Sequence, residues 1–205
     1  MGLAVGTYGV SFGAAATAAG LSTWQAVALS ALMFTGASQF ALVGVLGSGG
    51  AAVTGILGAV LLGTRNTLYA VRLSTLLPMR GPRRLLAAHL TIDETMATST
   101  AAPKAHAGLA FWTTGISLYL VWNLATLLGA LGASQLGDPA SLGLDAAVPA
   151  AFLGLLWPRL GSGQARRTAL AGGLLALAAV PYTPAGVPVL LAGLAVLPAL
   201  LRRPR

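Results

Sequence analysis

Long apolar segments follow one another along almost the whole chain, separated by short turns. A helix needs about 20 residues to cross a bilayer, and several of these segments are short and rich in Gly and Pro, as broken or tilted spans are. The pattern predicts one domain over residues 1–205, an all-α polytopic transmembrane helical bundle of about seven spans with some helices broken. The segments cover roughly residues 3–20, 24–46, 51–70, 108–132, 144–158, 167–181 and 187–201.

Composition supports a membrane environment for these helices. Of the 205 residues, 56% are apolar and 8% are charged, and the mean hydropathy is +0.81. Soluble domains carry about 25% charged residues, so this chain has too little charge to cover a surface in water. The net charge of +8 would suggest nucleic acid in a soluble protein. Here the basic residues lie between apolar segments, so we expect a lipid bilayer and no nucleic acid as the partner.

The basic residues also predict the orientation. They form three clusters, and the intervening loops near residues 47–50, 133–143 and 182–188 contain no Lys or Arg, so the clusters are expected on the cytoplasmic side. All three can lie there if residues 85–100, LLAAHLTIDETMATST, enter and leave on one side. That segment is too polar to face lipid, so we predict a re-entrant or protein-enclosed helix and a cytoplasmic C-terminus. The clusters are Arg72, Arg80, Arg83 and Arg84; Arg159, Arg166 and Arg167; and Arg202, Arg203 and Arg205.

Two adjacent acids stand inside this polar segment. Asp93 and Glu94 would face a protein interior or a water-filled path if they lie at membrane depth, and acids in such places are typical of proton or substrate coupling. Helical spacing places His89 and Asp93 on one face. Two alternatives remain open from the residues: a cytoplasmic amphipathic helix with both acids solvated, or an ion pair with Arg65.

A second polar cluster reads RNTLYAVR. Its members Arg65, Tyr69 and Arg72 recur at helical spacing, with Asn66 beside them. Arg65 is expected nearly two turns deeper in the membrane than Arg72. Its guanidinium either extends to the interface or binds a carboxylate, of Asp93 or of a substrate.

The third polar cluster interrupts the apolar stretch LMFTGASQFALVG. Thr35, Ser38 and Gln39 share one helix face, and Gly36 and Ala37 are small enough for close packing or for a break. Small and hydroxyl residues are common at helix–helix seams. A broken helix that exposes backbone groups to a zwitterionic substrate is the other interpretation.

Enzymatic readings find little in the sequence. Ser38 lies in GASQF, which differs from the G-x-S-x-G nucleophile elbow. There is no P-loop and no H-E-x-x-H, and without cysteine there is no thiolate chemistry or Cys-based zinc site. We expect no enzyme, no cofactor and no metal. An intramembrane hydrolase using Ser38 with His89 or His106 stays open, as does a scaffold or channel subunit without coupled transport.

Four blocks taken in order resemble one transporter family over nearly the whole chain. They are GVSFGAAATAAGLSTWQAVALSALMFTGASQFALVG, RNTLYAVRLS, HLTIDETMA and LGLDAAVPAAFLGLLWPRL, and they are similar to the AzlC family, the large subunit of bacterial branched-chain amino acid exporters. The resemblance implies a proton-driven secondary transporter in the bacterial inner membrane. It also implies export of Leu, Ile and Val, with Met as a further substrate, alongside a small membrane subunit of the AzlD type.

The resemblance also carries candidate site residues. Gly36–Gln39 are expected to hold the ammonium and carboxylate of the amino acid near mid-membrane, with apolar neighbours around its side chain. Asp93, or Glu94 in its place, is expected to bind and release the proton. The candidate substrate-binding residues are Phe12, Gly13, Gly36, Ala37, Ser38, Gln39, Asn66 and Tyr69, and the candidates for proton coupling or an ion pair are Asp93, Glu94 and Arg65.

Overall fold

A computed structural model describes residues 2–135 and 147–198, and these residues form ten α-helices with no strand among them. Short 3₁₀ turns connect or extend several of the helices. The predicted all-helical fold is therefore confirmed for the described residues. The helices are α1 (Gly2–Ala18), α2 (Thr23–Leu32), α3 (Ala37–Gly47), α4 (Ala52–Leu76), α5 (Pro82–His89), α6 (Asp93–Ala101), α7 (Ala107–Gln135), α8 (Ala147–Leu156), α9 (Gly163–Ala179) and α10 (Val187–Ala192).

One helix in the described part of the chain is long and apolar enough to cross a membrane by length and composition. It runs from Lys104 to Gln135 over 32 residues and consists of a 3₁₀ turn followed by α7. The prediction of about seven spans is not confirmed and stays a prediction. The start of segment 144–158 and the end of segment 187–201 lie outside the described residues, as does the terminal arginine cluster on which the cytoplasmic C-terminus rests.

The outer surface of α7 is strongly apolar. Leu120, Leu124 and Leu128 follow one another at one-turn spacing, and 62%, 58% and 57% of their surfaces are exposed. Soluble monomers rarely expose contiguous apolar surface of this kind. The exposed stripe is what a helix in contact with lipid would carry.

Glycines bring α1 and α7 into backbone contact. A Cβ added to Gly13 would lie 2.1 Å from the carbonyl oxygen of Thr126, and a Cβ added to Gly129 would lie 2.1 Å from that of Val10. Such close approach is typical of small-residue seams between membrane helices. Gly9 lies on the same seam four residues before Gly13, where an added Cβ would be 2.9 Å from the carbonyl oxygen of Trp122.

Polar contacts attach α2 to α7. The buried hydroxyls of Ser30 and Thr126 lie 3.2 Å apart, and the hydroxyl of Tyr119 donates to the carbonyl oxygen of Ala31 at 3.3 Å. Because both contacts lie near the end of α2, they fix that end against α7. The chain then leaves α2 for the segment that shapes the candidate site.

Candidate functional site

The chain breaks twice between successive short helices, between α2 and α3 and between α5 and α6. Both breaks end in the same local arrangement, in which a backbone N–H donates to a side-chain oxygen three residues later. Gly36 donates to Oε1 of Gln39 at 3.0 Å, and Ile92 donates to Oγ1 of Thr95 at 2.9 Å. Each contact satisfies one of the N–H groups that a helix start leaves without an intrahelical partner.

The first break depends on a glycine. Gly36 has φ +65° and ψ −87°, and L-residues with a side chain rarely adopt this region. Gln39 is fully buried, and its Nε2 has no hydrogen-bond partner among the described residues. Of the two interpretations of this stretch, the broken helix is the one present, with the break at residues 33–36. Its geometry gives Gln39 a clear local role, which is to hold the backbone at the start of α3.

The second break corrects one prediction from helical spacing. Residues 85–100 do not form one helix, because α5 ends at His89 and α6 begins at Asp93. His89 and Asp93 therefore do not share a helix face. The ring of His89 packs near Tyr119, with centroids 5.6 Å apart, whereas Asp93 is the first residue of α6.

Asp93 is the centre of a charge cluster. Nη1 of Arg65 on α4 donates to Oδ2 of Asp93 at 3.0 Å, and Nη2 of Arg159 contacts the same oxygen. The Arg65–Asp93 ion pair that the sequence left as an alternative is thus present. The other oxygen of Asp93, Oδ1, is buried and accepts no hydrogen bond within the described residues. Two guanidinium groups therefore share one carboxylate oxygen.

A cavity of about 100 Å³ lies between the two breaks. This is several times the space that one water molecule needs. Its wall combines both helix starts with charged and aromatic side chains, so charge lies on one part of the lining and apolar surface on another. The lining residues are Tyr8, Phe34, Thr35, Gly36, Ala37, Phe40, Arg65, Ile92, Asp93, Glu94, Leu118 and Trp122.

Aromatic rings form the apolar wall. Phe12 supports this wall from behind: its ring lies edge-on to Phe40, with centroids 5.5 Å apart, and is stacked with Trp122 at 6.3 Å. Phe34 packs edge-on to Tyr119, with centroids 5.2 Å apart. The indole Nε1 of Trp122 is buried and has no acceptor in the described part of the chain. Trp122 is one of the residues that line the cavity.

The structure brings five of the candidate site residues to the cavity and leaves six elsewhere. Gly36, Ala37, Arg65, Asp93 and Glu94 line it. Phe12 stands behind the aromatic wall and Gly13 lies in the seam between α1 and α7. The others that do not line the cavity are Ser38, which is buried near Gly63 of α4, Gln39, Asn66 and Tyr69.

Several residues of the site were not candidates from the sequence: Tyr8, Phe34, Ile92 and Leu118, which line the cavity, and Arg159, which contacts Asp93. Trp122 also lines the cavity, and Arg159 was expected only as part of a cytoplasmic cluster. The sequence positions of Trp122 and Arg159 do not indicate these contacts, because the residues that they contact are distant along the chain. The ion pair of Arg65 could have been anticipated from composition. The sequence has four acidic residues in all, and two of them are Asp93 and Glu94, so Arg65 has few possible partners.

Comparison with known proteins identifies the fold family. The family model described as AzlC protein matches residues 1–136. The chain belongs to the AzlC family. An uncharacterized membrane protein of Archaeoglobus fulgidus is 32% identical over 172 residues, which cover 82% of this chain and 74% of that protein. No solved structure matches the chain.

Family membership places the cavity in a coarse functional context. Together with the membrane relative and the candidate spanning helix, it indicates a role related to membrane transport. All the lining residues of the cavity fall within the matched part of this AzlC-family chain. Arg159, which contacts Asp93, lies beyond it.

Proposed function

We propose that this AzlC-family protein exports Leu, Ile and Val, with Met as a further substrate, as a secondary-active transporter driven by the proton gradient. The observation that carries the proposal is the cavity between the two helix breaks, which combines an ion-paired carboxylate with an aromatic wall. Broken helices around a charged site are typical of secondary transporters.

The charged part of the cavity suits the two ends of a zwitterion. The first turn of α3 offers backbone N–H groups without intrahelical acceptors, which favour a carboxylate. Arg65 adds a cation beside them, and Oδ1 of Asp93 is an acceptor for an ammonium group. In this proposal the substrate carboxylate lies toward Gly36 and Arg65, and its ammonium toward Asp93.

The aromatic part suits a branched apolar side chain. Phe34, Phe40 and Trp122 are nearly fully buried and form a wall on which an aliphatic group would pack. An apolar pocket distinguishes one methylene by about 1–3 kcal/mol. Leu, Ile and Val should therefore compete with one another within about two orders of magnitude in affinity, and amino acids with charged side chains should not compete.

Asp93 is the proposed proton carrier, with Glu94 as the alternate. Asp93 touches Arg65 and Arg159, so protonation would release both guanidinium groups from it. A released guanidinium can bind the substrate carboxylate, which connects proton binding to substrate movement. Intramembrane or cavity-facing acids commonly serve such relays.

A small membrane subunit of the AzlD type is the proposed partner, and the bacterial inner membrane the proposed location. Both rest on family membership. In this arrangement the present chain carries the cavity, and the second subunit completes the permease.

The test loads cells with dipeptides of branched-chain amino acids and follows amino acid efflux. Cells express both subunits, this chain alone, or neither. We expect efflux against a concentration gradient with both subunits, and its collapse when a protonophore removes the proton gradient. Equal efflux with and without the two subunits would reject the exporter.

Two further results would decide between the exporter and other functions left open by the sequence. Efflux that only follows the concentration gradient would identify a channel. A hydrolase would need a contact between Ser38 and a histidine, and among the described residues no hydrogen bond joins Ser38 to His89 or His106. A Ser38→Ala variant that hydrolyses and exports normally would exclude a hydrolase that depends on this serine.

A further inference from the structure

A second concave surface lies apart from the transport cavity, between the C-terminal half of α4 and helix α5. This groove, which we call the α4–α5 groove, has a volume of about 520 Å³ and shares no lining residue with the cavity. Its floor is apolar and one cation lines it. Its lining includes Val71, Leu77, Met79, Arg84 and Ala88.

The positive charge around the groove is uncompensated. Arg72, Arg80, Arg83 and Arg84 are all exposed, and no ion pair joins any of them to an acid within the described residues. Four cations between positions 72 and 84 create a positive potential with no internal counter-charge. An anionic ligand would be attracted to this end of the molecule.

Helix α5 has the character of a segment at a membrane surface. It has no buried residue, and Leu85 and Leu86 are 75% and 59% exposed directly after Arg83 and Arg84. Adjacent basic and exposed apolar residues are typical of helices that lie in the membrane interface. The ligand of the groove is therefore expected from the bilayer and not from the aqueous phase.

We propose that the α4–α5 groove binds an anionic phospholipid. Arg84 binds the phosphate, the neighbouring arginines raise the local positive potential, and an acyl chain lies over the apolar lining formed by Val71, Leu77 and Met79. The charge complementarity favours this ligand over a zwitterionic lipid. The groove and the transport cavity share no lining residue. A result that rejects the exporter would therefore leave the lipid proposal untouched, and the reverse also holds.

The test is native mass spectrometry of the purified, delipidated protein titrated with phosphatidylglycerol or phosphatidylcholine. We expect saturable binding of phosphatidylglycerol that is at least tenfold tighter than that of phosphatidylcholine. Arg84→Gln should weaken phosphatidylglycerol binding about fivefold or more, because a basic residue at an anionic surface contributes on that scale. Arg84→Lys keeps the charge and should retain most of the binding.

Two controls separate the groove from general surface charge. Arg166→Gln removes the same charge from an exposed arginine outside the groove and should leave binding unchanged. Ala88→Trp fills the groove without changing the charge, and should reduce binding as much as Arg84→Gln. Thermal unfolding of each variant verifies that it is folded.

Several results would overturn the proposal. Equal binding of the two lipids would remove the headgroup preference, and equal losses in Arg84→Gln and Arg166→Gln would leave only nonspecific charge attraction. Displacement of the lipid by the deacylated headgroup glycerophosphoglycerol at equal concentration would indicate a soluble phosphoester as the ligand. Normal binding by folded Ala88→Trp would show that the lipid lies outside the groove.

Discussion

Gln39 holds the backbone at the start of α3 through a single hydrogen bond. Its Oε1 accepts the N–H of Gly36, whose positive φ shapes the break before α3. We predict that Gln39→Ala destabilises the protein by about 1 kcal/mol, because the half-buried N–H of Gly36 loses its acceptor. It should also raise the KM for substrate, because Gly36 and Ala37 line the cavity. The measurements are thermal unfolding and concentration-dependent efflux.

The adjacent serine is the matched control for Gln39. Ser38 is almost as buried, with 3% of its surface exposed, but it faces Gly63 and does not line the cavity. Ser38→Ala should keep the KM of the unaltered protein. If Gln39→Ala also left KM and stability unchanged, neither the capping role nor the binding role of this stretch would stand.

The second prediction for a single residue concerns Asp93, the proposed proton carrier. Asparagine keeps the size of the side chain but cannot take up a proton at neutral pH, so Asp93→Asn should lower gradient-driven export at least tenfold. Exchange of labelled for unlabelled substrate across proteoliposomes, which needs no net proton movement, should fall much less. The two measurements use the same vesicles, with and without an imposed pH gradient.

Glu94→Gln distinguishes between the two neighbouring acids. Glu94 lines the cavity as Asp93 does, but among the described residues it has no ion pair. If Glu94→Gln abolished gradient-driven export while Asp93→Asn retained it in full, the proton carrier would be Glu94. Full export by both variants would remove the proposed proton relay.

At the scale of elements, the contact between α1 and α7 depends on glycine. An alanine Cβ at position 129 would lie 2.1 Å from the backbone oxygen of Val10, so the two helices would have to separate. We predict that Gly129→Ala lowers the yield of monodisperse protein and its unfolding temperature. Gly132→Ala, on the same helix with no atom within 4 Å of the added Cβ, should leave both unchanged. Equal behaviour of the two variants would contradict the packing.

The sequence predicts the helices better than it predicts the breaks between them. Hydrophobic segments predicted the helices well because lipid or a packed neighbour selects apolar side chains directly. The break at 33–36 was one of two interpretations of Gly36 within a polar cluster, whereas the break at 90–92 was not predicted. Its determinants are hydrogen bonds of Thr95 with Ile92 and Leu90, and threonine is too common in helices for its position alone to indicate a break.

The role of Gly13 shows a further limit of the sequence. It was grouped with the substrate residues through the family resemblance, and the structure places it against the backbone of α7. Small residues serve both helix packing and ligand access, so only the identity of the neighbouring atoms distinguishes the two. Gly9 has the same packing role. Its position four residues before Gly13 is typical of a small-residue seam between membrane helices.

At the scale of the whole molecule, Arg159 connects two parts of the chain. It follows α8 in a 3₁₀ turn and contacts Asp93, although the family match ends at residue 136. Its side chain is 55% exposed, and ion pairs of this kind contribute little to stability. The contact is therefore expected to matter for substrate binding more than for folding.

We predict that Arg159→Gln raises the KM for substrate about threefold to tenfold, because the substrate carboxylate loses one of the two cations near Asp93. The unfolding temperature should change by less than about 3 °C, as the loss of an exposed pair implies. Arg167→Gln removes the same charge from an exposed residue that makes no contact with Asp93 and should keep the KM of the unaltered protein. If both variants raised KM equally, the effect would come from overall charge. If neither did, the residues after 136 would contribute no charge to the transport site, and Arg65 alone would remain as its cation.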